Sequence, residues 1–351
     1  MLFYSIFFYV KKVRTFEQMG EAMIEVTNLT KRYGNHIAVN HLNFRVEKGQ
    51  IYGFLGPNGA GKSTTMNMIT GYLAPTEGTI TIDGIDIMKD PEQAKKKIGY
   101  LPEIPPLYMD MTVGEYLNFV ADMKKVPRSI RTEKVVEVME KTQITDMENR
   151  LIKNLSKGYR QRVGLAQAML ADPEVLILDE PSVGLDPKQI IEIRELIKEL
   201  GKNHTIILSS HILSEVSAVC DHIMIIAHGN LVASDSPDEL QKKMSASMLL
   251  KLSVKGTKEQ LEDAIRDIPE IENVKISEDE PSTAIITSRE GADIWEVLFY
   301  RMVKADLPIL QLGSEKKSLE DIFLELTEDV APAEDKRRRL FGGKKEGKEE
   351  S

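Results

Sequence analysis

"QIYGFLGPNGAGKST" runs from Gln50 to Thr64 and sets the reading of everything around it. Its first six residues form an apolar run of the kind a strand shows when both of its faces are covered. The remaining nine, Gly56 to Thr64, satisfy the pattern G-x-x-x-x-G-K-[ST], and a helical segment follows, ending near Gly71. Strand, glycine-rich loop and helix, in that order, are the context in which this pattern cradles phosphate. Gly56, Gly59 and Gly61, with Pro57, Asn58 and Ala60 between them, let the backbone curl so that N–H groups point inward at phosphate oxygens. The helix beginning near Gly61 adds the positive end of its dipole. Lys62 is placed to neutralise the β- and γ-phosphates, Ser63 to offer its hydroxyl to Mg²⁺, and Thr64 to complete the cradle.

A second apolar run, "VLILDEP" from Val175 to Pro181, supplies the chemistry that a cradle lacks. It delivers Asp179 to the carboxyl end of a buried strand, where ligands of open α/β sheets sit. From there Asp179 can hold Mg²⁺ together with Ser63 and the phosphates, and Glu180 can polarise an attacking water. "LILDE" alone says little, because many strands end in acidic residues. With the phosphate loop it points to nucleotide hydrolysis. His211 closes a third run, "TIILSS", and so emerges at the same sheet edge, where it can donate to a γ-phosphate and fix the water. The other histidines receive a structural reading.

Composition bounds the rest. With 351 residues and 42% of them hydrophobic, the chain can bury a proper core and suggests two or so domains. A net charge of −9 argues against nucleic acid as a partner, since a phosphate-binding face shows as a basic excess. The lone Cys220 rules out an internal disulfide framework and fits a reducing compartment. No uninterrupted apolar run reaches the roughly 18 residues that a spanning helix needs. "MLFYSIFFYV" at the start is too short to span, and its charges (Lys11, Lys12, Arg14) follow the apolar run instead of preceding it. Residues 1–22 are therefore expected to be an extension. Residues 331–351, rich in charge, are expected to be a disordered tail.

Between those ends the texture changes once. Over residues 23–245 strand-like runs alternate with helical patterns, the signature of an α/β fold with a mostly parallel sheet. Over residues 246–330 the order is strand, helix, strand, strand, helix, strand, a ferredoxin-like α+β plait. The helix "SLEDIFLELT" closes that part, which shows no phosphate loop, metal-ligand cluster or nucleophile–base pair and is expected to be accessory.

One motif remains. "LSKGYRQRVGLAQAML", Leu155 to Leu170, opens with Leu-Ser and a glycine, runs on as a basic amphipathic helix, and precedes "VLILDEP". Phosphate loop, Leu-Ser-x-Gly helix, Asp-Glu strand end and strand-end histidine together resemble the ATPase subunits of ABC transporters, over about residues 23–244. The resemblance implies a P-loop ABC ATPase core with a helical subdomain at about 90–171, binding ATP and Mg²⁺. It also implies a head-to-tail dimer in which Ser156 and the backbone N–H of Gly158, at a helix N-terminus, complete the partner's nucleotide site. Lys157 and Tyr159 depart from the commonest form, Leu-Ser-Gly-Gly-Gln, and Lys157 either faces γ-phosphate or points to solvent. Tyr33 in "KRYG" matches the aromatic that stacks on adenine. Glu103 in "GYLPE" stands where the family has a glutamine that touches Mg²⁺ or water and senses the membrane partner. Asp186 in "SVGLD" matches the residue that links the two sites across the dimer.

"GYLPE", "LSKGYRQR" and "SLEDIFLELTEDV" together resemble the ATPases of bacterial ABC-2-type exporters. That subclass implies a second ATPase subunit, in a homodimer or a heterodimer, at the cytoplasmic face of the membrane, driving export through a separate permease. The alternative is a soluble ABC ATPase acting on ribosomes or DNA. Against it stand a single nucleotide unit and an acidic net charge. A GTPase would need an Asn-Lys-x-Asp motif, which the chain lacks.

Overall fold

A computed structural model describes residues 21–244, 249–277, 280, 282–289, 292–315 and 323. Residues 1–20 of the opening extension, the helix "SLEDIFLELT" apart from Phe323, and the charged tail lie outside the described residues, while Ala22, counted with the extension, already belongs to the first strand. The chain divides into two compact units between Pro237 and Asp238, somewhat before the change of texture at 245/246.

The first unit holds two sheets. β1 (Ala22–Tyr33), β2 (His36–Glu47), β4 (Glu77–Ile82) and β5 (Ile85–Asp86) form an antiparallel sheet in the order β2-β1-β4-β5. The second sheet has the order β10-β9-β3-β8-β7-β6, built from β3 (Ile51–Leu55), β6 (Ile98–Leu101), β7 (Val175–Asp179), β8 (Thr205–Ser210), β9 (His222–Ala227) and β10 (Asn230–Asp235). All its pairings are parallel except β9 with β10, which turn back on each other. The mostly parallel sheet is thus present, but the antiparallel one is a correction to the idea of a single alternating run. Tyr33 pairs with His36 across a two-residue turn, and so short a link can join only antiparallel strands.

Every residue of β3, β7 and β8 is buried, as continuous apolar runs require when a parallel sheet is covered on both faces. Residues from both sheets, among them Ile24, Val39, Phe54, Ile80 and Ile177, share one core with Met66 of the helix Lys62–Ile69. Because β3, β8 and β7 are adjacent and parallel, with Leu55 beside Ser210 and Asp179 beside Ser209, their carboxyl ends emerge together. That edge carries the candidate chemistry.

Helices Val113–Met123, Arg128–Lys141 and Lys157–Met169 lie between β6 and β7, inside the stretch 90–171 expected to be helical, whose residues Ile98–Leu101 are instead a strand of the parallel sheet. Lys124 ties it together. Its amine donates to the carbonyls of Gln167 at 2.8 Å, Ala168 at 3.1 Å and Leu170 at 3.1 Å, the unpaired end of helix Lys157–Met169. Burial pushes the amine down to about 8, so at neutral pH it remains mostly protonated and opposes the negative end of the helix dipole. Lys124→Met is expected to remove about 2 kcal/mol of stability. The measurement is a lower denaturant midpoint at unchanged slope, and a midpoint equal to the parent's would show that the cap contributes nothing.

In the second unit β11 (Leu249–Val254), β12 (Ile271–Ile276), β13 (Thr283–Ser288) and β14 (Ile309–Glu315) form an antiparallel sheet in the order β12-β13-β11-β14. Helices Lys258–Ile265 and Trp295–Lys304 stand between β11 and β12 and between β13 and β14. This is the ferredoxin-like plait, with a core of its own around Leu252, Leu261, Ile286 and Leu298.

Candidate active site

The phosphate loop links β3 to the helix Lys62–Ile69. Gly61, at the N-cap, has φ +106°, and a Cβ there would lie 2.5 Å from the Ala38 carbonyl. Only glycine fits such a backbone pressed against another. Lys62 is buried at 6% exposure, and its amine donates to the carbonyls of Gly56 at 2.8 Å and Pro57 at 3.3 Å. The same amine lies 3.4 Å from Glu180 Oε1. A buried ammonium needs such oxygens, and these three hold it at the loop.

Asp179 ends β7 and is 3% exposed. Its Oδ1 accepts from Ser63 Oγ at 3.4 Å and from Ser209 Oγ at 2.5 Å. The Ser209 hydroxyl also accepts the backbone N–H of Glu180 at 2.9 Å. Glu180 has φ +48°, a left-handed conformation that costs a non-glycine residue about 1–3 kcal/mol and persists only where the surroundings impose it. Its Oε2 lies 2.9 Å from His211 Nδ1. A carboxylate there accepts, so Nδ1 carries the hydrogen and Nε2 is turned to the other side of the ring. Burial, with the Asp179 charge second, pushes the Tyr100 phenol up to about 12, and its hydroxyl donates to Asn67 Oδ1 at 3.3 Å.

A cleft of about 420 Å³ gathers most of the expected residues: Tyr33, Asn58, Gly59, Gly61, Lys62, Ser63, Thr64, Glu103, Glu180 and His211. Gly56, Pro57 and Ala60 shape the loop without lining the cleft, and Asp179 stays buried just outside it, reaching it through Ser63. Tyr33 is half exposed at its rim, with the Lys31 amine 5.4 Å from the ring centroid. Three lining residues were not foreseen from sequence. Two of them, His36 and Ala38, follow the β1–β2 turn, and the third, Val183, follows Glu180. Ser209 was also missed: its place comes from the pairing of β7 with β8, which sets it beside Asp179.

Ser156, Gly158 and Asp186 do not line this cleft. Ser156 caps helix Lys157–Met169, accepting from Tyr159 N at 3.4 Å. Gly158 lines a separate cavity of about 250 Å³ with Gln143, Tyr159, Arg162, Gln189 and Glu192. A Cβ on Gly158 would fall 2.7 Å from Gln189 Oε1, so glycine lets that side chain close in. Asp186 caps helix Pro187–Gly201, accepting from Gln189 N at 2.9 Å, with Pro187 at the first helical position. Lys157 is exposed, and its amine lies only 2.3 Å from where a Cβ on Gly184 would stand. It therefore reaches across the Ser182–Asp186 loop of its own chain.

The geometry can be set beside known proteins. The ABC transporter family matches residues 39–183. The linearmycin resistance ATP-binding protein of Bacillus subtilis (strain 168) is 33% identical, over 87% of this chain and 98% of its own length. The bacitracin transport ATP-binding protein of Bacillus licheniformis is 37% identical, over 87% and 97%. Among solved structures, an ATP binding subunit of an ABC transporter superposes with a TM-score of 0.58 at 30% identity, over 64% of this chain and 93% of that one. An ATP-binding cassette solved as a post-hydrolysis dimer with ADP and phosphate gives a TM-score of 0.56 at 25% identity, over 61% and 98%.

Proposed function

The chain belongs to the ABC transporter ATP-binding proteins, a family of ATPases, and on that premise we propose that it drives export through a separate ABC-2-type membrane permease as half of a head-to-tail dimer. The observation that carries this is the split between the two halves of the site. Lys62, Glu180 and His211 meet at one cleft, with Asp179 buried beside it and bonded to Ser63, which lines it, while the Ser156–Gly158 helix start lies outside the cleft of the same chain. A second copy, placed head to tail, brings that helix start to the exposed side of the γ-phosphate.

In this reading Tyr33 stacks on the adenine, and the loop from Gly56 to Thr64, with Lys62, holds the phosphates. Glu180 takes a proton from water as the water oxygen attacks the γ-phosphorus. The bond from that phosphorus to the bridging oxygen breaks, and ADP and phosphate leave. His211 orients Glu180 and the water. Ser63 and Asp179 present two hard oxygens side by side, a donor set that suits a Mg²⁺ completed by phosphate oxygens and water. When bound, Mg²⁺ would offset the charge that develops on the phosphates. Glu103 stands on the rim of the same cleft.

Export and a permease partner are supported by what the relatives are named for, transport of bacitracin and resistance to linearmycin. Next to Glu103, Ile104 and Tyr108 are 83% and 55% exposed, and the ring of Phe119 lies 5.4 Å from that of Tyr108, exposed apolar side chains of the kind that mark a docking surface. We assign the chemistry to the first unit and an accessory role to the second, and place the protein at the cytoplasmic face of the membrane through its permease. A tagged full chain, co-expressed with ABC-2-type permeases from its own genome, is expected to co-purify with one of them. Its ATP turnover should then require Mg²⁺ and stop on chelation. Recovery with ribosomes and with no permease would sink the transport reading.

A further inference from the structure

Glu215 lies in the short helix Leu213–Ser217, four residues after His211, and is 6% exposed. It does not line the cleft. Its Oε2 accepts from Ser182 Oγ, and from Ser210 Oγ at 3.3 Å. Its Oε1 lies 3.9 Å from the Arg194 guanidinium. A buried carboxylate with so distant a counter-ion depends on its hydroxyl donors, which makes this a specific arrangement.

Each serine belongs to a stretch that carries one member of the Glu180–His211 pair. Ser210 directly precedes His211, and its Oγ accepts the Ile212 N–H at 3.0 Å, a bridge spanning the histidine. Ser182 lies two residues past Glu180, inside the turn closed by Val183 N donating to Glu180 O at 3.1 Å. That turn begins with the left-handed backbone of Glu180. Both seats therefore hang on one carboxylate. We propose that Glu215 is a positioning residue for hydrolysis, fixing the Glu180 turn and the His211 turn relative to each other. The proposal rests on the reading of Glu180 as base and His211 as its orienting partner.

The test uses the full chain. Steady-state ATP hydrolysis and equilibrium ATP affinity are measured for Glu215→Ala, Glu215→Gln, Ser182→Ala, Ser210→Ala and Glu180→Gln, and for Glu215→Ala combined with Glu180→Gln. Glu215→Ala is expected to lower kcat by about tenfold or more, with ATP affinity within about twofold of the parent. Glu215→Gln, which keeps an accepting oxygen, should recover part of the loss. In the Glu180→Gln background Glu215→Ala should add little, because residues acting through one group are not additive. A general structural defect would instead lower affinity along with rate, and would repeat its full effect in that background. Either of those results overturns the proposal, as does a Glu215→Ala protein with parental kcat. Should Glu215→Ala fail to fold, the single serine variants decide: each is expected to lower kcat several-fold, and parental rates in both would overturn it. Near-parental turnover by Glu180→Gln would remove the base assignment and this proposal with it. A dead Glu180→Gln beside unaffected Glu215 and serine variants removes this proposal alone.

Discussion

Glu180→Gln is expected to keep ATP bound while lowering its turnover by about 10²-fold or more. The amide has the shape of the carboxylate but no basic oxygen to accept the proton from water. Binding should survive because Lys62 keeps its two loop carbonyls, Gly56 and Pro57, when the ion pair at 3.4 Å is lost. The Glu180 backbone is held by Ser209 and by the turn to Val183, neither of which involves its side chain. The variant should therefore fold normally. Single-turnover hydrolysis alongside equilibrium nucleotide binding separates the two effects, and near-normal hydrolysis would reject the assignment.

The second large effect concerns two chains at once. Lys62→Ala and Ser156→Arg, made separately, are each expected to give homodimers with both sites broken. Combined in one heterodimer they place both lesions in the same composite site and leave the other intact. This follows from the separation seen within one chain, where Ser156 caps its helix away from the cleft that contains Lys62. Differently tagged copies allow the mixed species to be isolated. ATP-dependent dimer closure should return in it, and hydrolysis may be read alongside. If the mixed dimer closes no better than either parent, Ser156 does not serve the partner's nucleotide.

Much of this site was legible in the sequence because each piece is local. The phosphate loop declares itself by spacing and by the strand and helix around it. Asp179, Glu180 and His211 are marked by standing at the ends of apolar runs. What was not legible depends on register between distant strands. Ser209 acquires its role only because β7 and β8 pair with Asp179 beside it. His36 reaches the cleft because a hairpin sets it opposite Tyr33, and that hairpin also places the strand in a sheet apart from the parallel one. Glu215 is silent in the sequence, since nothing in "HILSEV" says that its acid turns inward to two serines. Asp186 shows the opposite case. Asp-Pro at the start of an apolar-periodic segment is a helix N-terminus signal, and the structure uses it as one, whereas the family resemblance drew attention to the dimer.

The left-handed backbone at Glu180 has a consequence for how this protein can change. Glycine, or an asparagine, would sit there with less strain, so the residue proposed as the base is a poor choice for its own dihedral angles. Variants picked for heat resistance alone are expected to drift towards replacing it and to lose the turnover proposed for it. Only selection for turnover retains a glutamate at that turn, which makes position 180 a place where durability and work pull the sequence in opposite directions.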